Sequence, residues 1–252
     1  MAELVWWQLG VLVAAGCLSG YVNTIAGGGS FLTIPLLIFM GLPPTVANAT
    51  NRLCVFLQAM TAVRQFHGYG VFPVRLALLL AVPAVLGSVV GSYAAMLVSD
   101  TAFKKYLAAF MVLMTLTTFI KPSAGKGAQG GEGFSPGRKL VAVLLFFLVG
   151  VYGGFLQAGV GFLIIAALVF TGQDFVGGNA IKSFVIFALT VVSLLVFFAG
   201  GKVELAPGLA LGAGSIIGAT LGSRATVKRG NLFVQRFVVV TVILSAIWLL
   251  VS

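Results

Sequence analysis

Residues 20–52 read GYVNTIAGGGSFLTIPLLIFMGLPPTVANATNR. An apolar run is broken at Gly27-Gly28-Gly29, resumes from Ser30 to Met40, breaks again at Gly41-Leu42-Pro43-Pro44, and then delivers Asn48, Asn51 and Arg52. In a chain that is otherwise apolar, polarity is concentrated here. A second copy follows at a constant offset of 131 residues. That offset pairs Gly28 with Gly159, Phe31-Leu32 with Phe162-Leu163, Gly41 with Gly172, Asn48-Ala49 with Asn179-Ala180 and Phe56 with Phe187. It goes on to pair Gly87 with Gly218 and Gly91-Ser92 with Gly222-Ser223. An ungapped register of that length reads as two homologous halves. The expected division is a first repeat over 1–122, a Gly-rich linker over 123–137 and a second repeat over 138–252.

Composition sets the solvent. Of the 252 residues 60% are hydrophobic and 8% charged, whereas a soluble domain carries about a quarter charged residues. Too little charge is present to cover a water-exposed surface, so the chain reads as an all-α integral membrane protein. Helices are favoured over a β-barrel because the apolar runs are of helical length and lack alternating patterns. Most of the 33 glycines read as close-packing positions between helices. The net charge of +10 does not imply nucleic acid, because Lys and Arg sit at the ends of apolar segments. Cys17 and Cys54 have neither disulfide nor metal-ligand spacing. The N-terminal MAELVWWQLG lacks the basic region of a signal peptide, and Trp6 and Trp7 read as an interfacial belt.

The expected segments are 4–26, 30–40, 46–66, 76–98 and 104–120, then a loop over 121–139, then 140–158, 161–171, 176–199, 206–226 and 231–251. The two short segments, at about 1.5 Å per residue, cover roughly 18 of about 30 Å of hydrocarbon and cannot cross unaided. If the first two elements of each half return the chain to its starting side, three basic clusters share one face: Arg64 and Arg75; Lys121, Lys126, Arg138 and Lys139; Arg224, Lys228 and Arg229. The positive-inside rule favours that arrangement and puts the linker in the cytoplasm, both termini outside, and the halves in inverted orientation with broken helices at their interface.

Each broken stretch runs a Gly-rich loop into a helix N-terminus, at Gly28-Gly29-Ser30 and at Gly159-Val160-Gly161. Unpaired N–H groups and the positive end of the helix dipole suit a small oxyanion there. Just beyond lie Asn48, Asn51 and Arg52 and their counterparts Asn179, Lys182 and Ser183, so each half offers one cation at neighbouring positions. Ionisable groups within a membrane segment are costly and mark function, unless both simply snorkel to the headgroups. Gln157 joins the candidate substrate-binding set, with Gln58 and Asn23 as weaker candidates. All five acids, Glu3, Asp100, Glu132, Asp174 and Glu204, fall in expected loops or at segment ends, leaving no mid-membrane carboxylate for a proton or sodium. No catalytic residue, metal site or cofactor is expected.

The Gly-rich break, the apolar run, the Gly-Leu-Pro-Pro turn, the Ala-Asn-Ala-Thr-Asn helix start and the second copy GGFLQAGVGF together resemble the sulfite exporter TauE/SafE family of bacterial membrane proteins. The resemblance covers nearly the whole chain and implies export of sulfite or a small organosulfur anion across the bacterial inner membrane. The chain departs from internal symmetry in having Lys182 opposite Asn51 and Ala166 opposite Pro35. Expected partners are a small inorganic or organosulfur anion and the lipid bilayer, with a homodimer left open and no nucleic acid. The alternatives are transport of another anion or of a metal cation, or a membrane assembly factor or enzyme; one His and two separated Cys supply poor equipment for the last two.

Overall fold

The computed structural model describes residues 6–117, 136–170 and 174–251. The described residues form helices joined by short turns: α1 Trp6–Ile25, α2 Ser30–Phe39, α3 Pro44–Gly68, α4 Val74–Met96, α5 Asp100–Thr117, α6 Pro136–Phe155, α7 Val160–Phe170, α8 Phe175–Ala199 and α9 Leu205–Val251. Several helix ends fall at glycine or proline, whereas the turn between α4 and α5, Leu97-Val98-Ser99, has neither. Pro44 opens α3 as a first-turn residue, where its missing N–H leaves no gap in the ladder. The offset of 131 carries over to the boundaries, since α3 and α8 each run 25 residues from positions 44 and 175.

Two expected boundaries differ. The stretch 136–139, expected to be loop, forms the first turn of α6, which Pro136 is suited to open. The fifth segment of the second half is not set off by a loop. It continues α9 across a kink at Gly230 (φ 70°, ψ −169°), where the first half has the turn between α4 and α5. Glu3, Glu132, Gly172, the linker over 121–135 and Ser252 lie outside the described residues.

Among the described residues, four stretches are long and apolar enough to cross a membrane: α1, α4, α8 and Leu205–Phe237 of α9. Helices α2 and α7, with 10 and 11 residues, are about 15 Å long and stop well short of a bilayer's thickness. The outer faces of α4 and α6 expose Leu78, Val82, Leu86, Leu144 and Leu148, a surface suited to lipid rather than water.

Packing is exchanged between the halves: α1 lies along α9, α6 along α4, and the long polar helix α3 runs between α8 and α9. The close helix pairs are made by glycines spaced four apart. A Cβ at Gly16 or Gly20 would strike the main chain of Leu211 or Ser215, and one at Gly150 or Gly154 would strike that of Ala84 or Ser88. Helices α3 and α8 are antiparallel, with Phe56 stacked on Phe187 at 5.6 Å and Ala62 and Phe66 packed with Ala180.

The N-terminus of α3 is capped from another helix. Asp100 Oδ1 accepts from the Thr45 amide at 2.9 Å and from its hydroxyl at 2.7 Å. In the second half Asn231 Oδ1 accepts from the Val176 amide at 2.9 Å, the position matched to Thr45. Partial burial pushes the Asp100 carboxyl up, but the Thr45 hydrogen bonds and the charge of Lys202 outweigh it and hold the group below its usual value. A carboxylate with a lowered value contributes stability that is complete above the ordinary carboxylate range and is lost as pH falls through the lowered one. Asp100→Ala is expected to cost about 1 kcal/mol in thermal unfolding, the usual cost of a lost cap, and Asp100→Asn to retain most of it, as Asn231 does.

Candidate functional site

Each helix break leaves two sets of unpaired main-chain groups: the last carbonyls of one helix and the first amides of the next. At the break between α6 and α7, Arg52 of α3 takes two of the carbonyls and two side-chain oxygens beside them. Its Nη1 donates to Gly153 O at 3.1 Å, Gln157 Oε1 at 2.6 Å and Ser193 Oγ at 2.7 Å, and its Nη2 to Gly154 O at 2.5 Å. The guanidinium also lies 4.6 Å from the centre of the Phe197 ring. One turn earlier, Asn48 Nδ2 donates to Phe155 O at 3.1 Å. Gln157 is held at a positive φ of 63° and passes its own Nε2 to Thr190 Oγ1 at 2.9 Å.

At the first break Lys182 of α8 does the corresponding work. Its Nζ donates to Asn23 O and Thr24 O, both at 2.8 Å, and to Asn179 Oδ1 at 2.5 Å. Each cation therefore closes the C-terminal end of the broken helix in the other half. Helix C-termini carry about half a negative charge, so both placements are electrostatically favourable. Asn51 has a different task, tying α2 to α3: its Nδ2 donates to Ser30 Oγ at 3.1 Å, and its Oδ1 accepts from Thr33 Oγ1 at 2.6 Å.

All twelve candidate residues are buried. The snorkelling alternative for the two cations is overturned: Arg52 is 0% and Lys182 1% exposed, and protein oxygens hold both inside. Ser183 stays out of the network, donating to Asn179 O of its own helix at 2.8 Å. Asn23 contributes its carbonyl rather than its side chain, and Gln58 is buried with Oε1 unpartnered. His67 lies at the end of α3 against the edge of Phe72, outside this region.

The two breaks meet at the centre of the protein. The main chains of Gly27 and Gly161 touch, the Phe31 ring covers Gly159 and the Phe162 ring covers Gly28. The two rings stack at 6.3 Å. Around this centre the fixed charge is positive. Arg52 and Lys182 are the buried charged groups among the described residues, and Asp100, Asp174 and Glu204 all lie at helix ends away from the interior. The half-charges of paired helix ends cancel across each break, so each break keeps roughly the full charge of its cation. Two buried N–H donors among the described residues have no partner, Arg52 Nε and Asn179 Nδ2. Chemically, this arrangement can stabilise a small anion by hydrogen bonding and charge.

Several contributors were not among the sequence candidates: Thr33, Thr190, Ser193 and Phe197. Thr190 and Ser193, three apart in the apolar α8, gave the one usable signal, because polar residues at helical spacing in such a segment need partners inside the protein.

A family model described as Sulfite exporter TauE/SafE matches residues 12–249. The chain is 28% identical to a probable membrane transporter protein, ORF9, of Sinorhizobium sp, over 99% of this chain and 95% of the relative. It is 27% identical to a probable membrane transporter protein of Haemophilus influenzae, over 92% and 90% of the two chains. It is 28% identical to the probable membrane transporter protein YfcA of Escherichia coli strain K12, over 94% and 88%. No solved structure matches the chain.

Proposed function

The chain is a multi-pass membrane transporter of the sulfite exporter TauE/SafE family, and we propose that it exports sulfite or a small organosulfur anion, binding it between two inverted repeats at the helix breaks. One observation carries this reading: two buried cations, Arg52 and Lys182, with no buried carboxylate among the described residues to neutralise them. An interior with that charge attracts an anion and repels a metal cation. The first-turn amides of α2 and α7, around Gly28, Gly29, Ser30, Gly159 and Gly161, supply donors at the positive ends of two helices to an anion that displaces the Phe31 and Phe162 rings now lying over Gly159 and Gly28. Arg52 Nε and Asn179 Nδ2 add two more. Lys182, whose three N–H groups are all engaged, contributes charge rather than contact.

Inversion of the repeats is supported by residues that meet their own counterparts. Phe31 stacks on Phe162 and Phe56 on Phe187, each pair separated by the repeat offset, as self-complementary contacts across a two-fold axis require. The antiparallel course of α3 and α8 and the matched caps at Thr45 and Val176 agree with an axis in the membrane plane. The orientation that follows has both termini outside the cytoplasmic membrane; a reporter fused at Ser252 that proved cytoplasmic would overturn it.

The test is efflux of sulfite from proteoliposomes containing the purified protein, with sulfate, thiosulfate and sulfoacetate as competitors. Sulfite flux that sulfoacetate suppresses more than sulfate does is the expected result. Because no acid among the described residues is buried in the interior for coupling, Asp174→Asn and Glu204→Gln proteins are expected to retain it. Folded protein with no flux for any of these anions would remove the substrate assignment and leave the family standing.

A further inference from the structure

The surroundings of Lys182 Nζ are those of a cation site. Three oxygens and no other polar atom receive it: the carbonyls of Asn23 and Thr24 and Oδ1 of Asn179. The two carbonyls belong to the last turn of α1, released from helical bonding by the break at Gly27, and they carry the negative end of that helix. A fourth oxygen stands on the same residue as one of them: Thr24 Oγ1 is buried and has no partner. A set of neutral oxygens at an unwound helix end, without a carboxylate, matches a hard monovalent ion better than a divalent one, which needs ligand charge.

We propose that the Lys182 ammonium is a tethered substitute for a bound monovalent metal cation, and that removing its side chain opens a sodium site at the C-terminal end of α1. The internal symmetry supports the same view of the other break. Arg52 likewise rests on four neutral oxygens, those of Gly153, Gly154, Gln157 and Ser193. With a covalently attached cation at each break, the wild-type protein has no vacant position for sodium there, and its stability and any transport are independent of sodium at these points.

The test needs no knowledge of the transported anion, so its failure is separable from failure of the proposed substrate. Wild-type, Lys182→Ala and Lys182→Met proteins are purified in detergent, and thermal unfolding and binding of radiolabelled sodium are measured in sodium chloride or in choline chloride at equal concentration. Wild-type protein is expected to melt at the same temperature in both salts and to bind no sodium. Lys182→Ala is expected to melt lower in choline and to bind sodium at one equivalent. Sodium in about tenfold excess over its dissociation constant would raise its melting temperature by roughly 3–6 °C. Lys182→Met, which fills the space with apolar atoms, is expected to be destabilised equally in both salts. Where the alanine protein is not recovered, Lys182→Asn takes its place, since position 51 of the first half already carries asparagine. Equal melting of the small-residue variant in both salts, an equal sodium effect in Lys182→Met, or recovery of neither small variant in sodium would each overturn the proposal.

Discussion

Arg52→Ala is expected to fail as a folded protein, giving aggregated or degraded material after detergent extraction where the wild type runs as one symmetric peak. The side chain serves four acceptors on α6, the following loop and α8, all of them buried with it. Each buried acceptor left without a donor costs about 1–3 kcal/mol. Gly154 O keeps a hydrogen bond from Ser92 Oγ at 3.2 Å, so three of the four lose their donor. Three such losses, even after relaxation, are a large share of the whole stability of a typical protein, about 5–15 kcal/mol. Arg52→Lys separates charge from geometry. It keeps the cation but offers one amine in place of the guanidinium fork, so the expected outcome is folded protein with a lower melting temperature and anion flux reduced about tenfold or more, equivalent to about 1.4 kcal/mol. An alanine variant with wild-type melting and flux would show that α3 does not hold the second break.

Gly27→Ala is the second large effect. Gly27 has φ +105°, which side chains rarely adopt, and a Cβ there would stand 2.5 Å from the Gly161 Cα and carbonyl carbon. The obstacle is main chain and cannot rotate aside. Backbone strain of about 1–3 kcal/mol therefore adds to a displacement of the two breaks from each other. The expected result is a melting temperature lowered by about 6 °C or more, and flux lost even where protein is recovered. Gly10→Ala is the control. Gly10 lies within α1 with open space around it, so alanine is expected to be neutral or to stabilise by up to about 1 kcal/mol. Equal behaviour of the two variants would mean that the contact between Gly27 and Gly161 is not needed.

The helix plan was legible because this chain writes its breaks in glycine and proline. Gly27 to Gly29 mark where α1 gives way to α2, Gly41 to Pro44 where α2 gives way to α3, and Gly159 to Gly161 where α6 gives way to α7. The kink at Gly230 was not legible as a continuation, since a single glycine between two apolar runs reads equally as a loop. The candidate residues were found from their polarity, but their partners were not. Arg52 with Gly153 and Lys182 with Asn23 join positions more than a hundred residues apart, and no periodicity in the sequence encodes such a pair. The candidates were read against helix N-termini, while the cations went to C-termini of the opposite half. Their charge is thereby retained in the interior, and their hydrogen bonds are largely spent on the protein. The cap that Asp100 gives Thr45 was hidden for the same reason, although the acid's place at a segment end was plain.

The most direct measurement is anomalous diffraction from crystals of the wild-type protein soaked with selenite, a heavier relative of sulfite whose position can be read without reference to flux. The expected result is one strong selenium peak per chain within hydrogen-bonding reach of the first-turn amides of α2 or α7, weakened or absent in Arg52→Lys crystals. Selenite found only among the surface lysines and arginines, in a protein that still exports sulfite, would contradict an anion site between the two breaks.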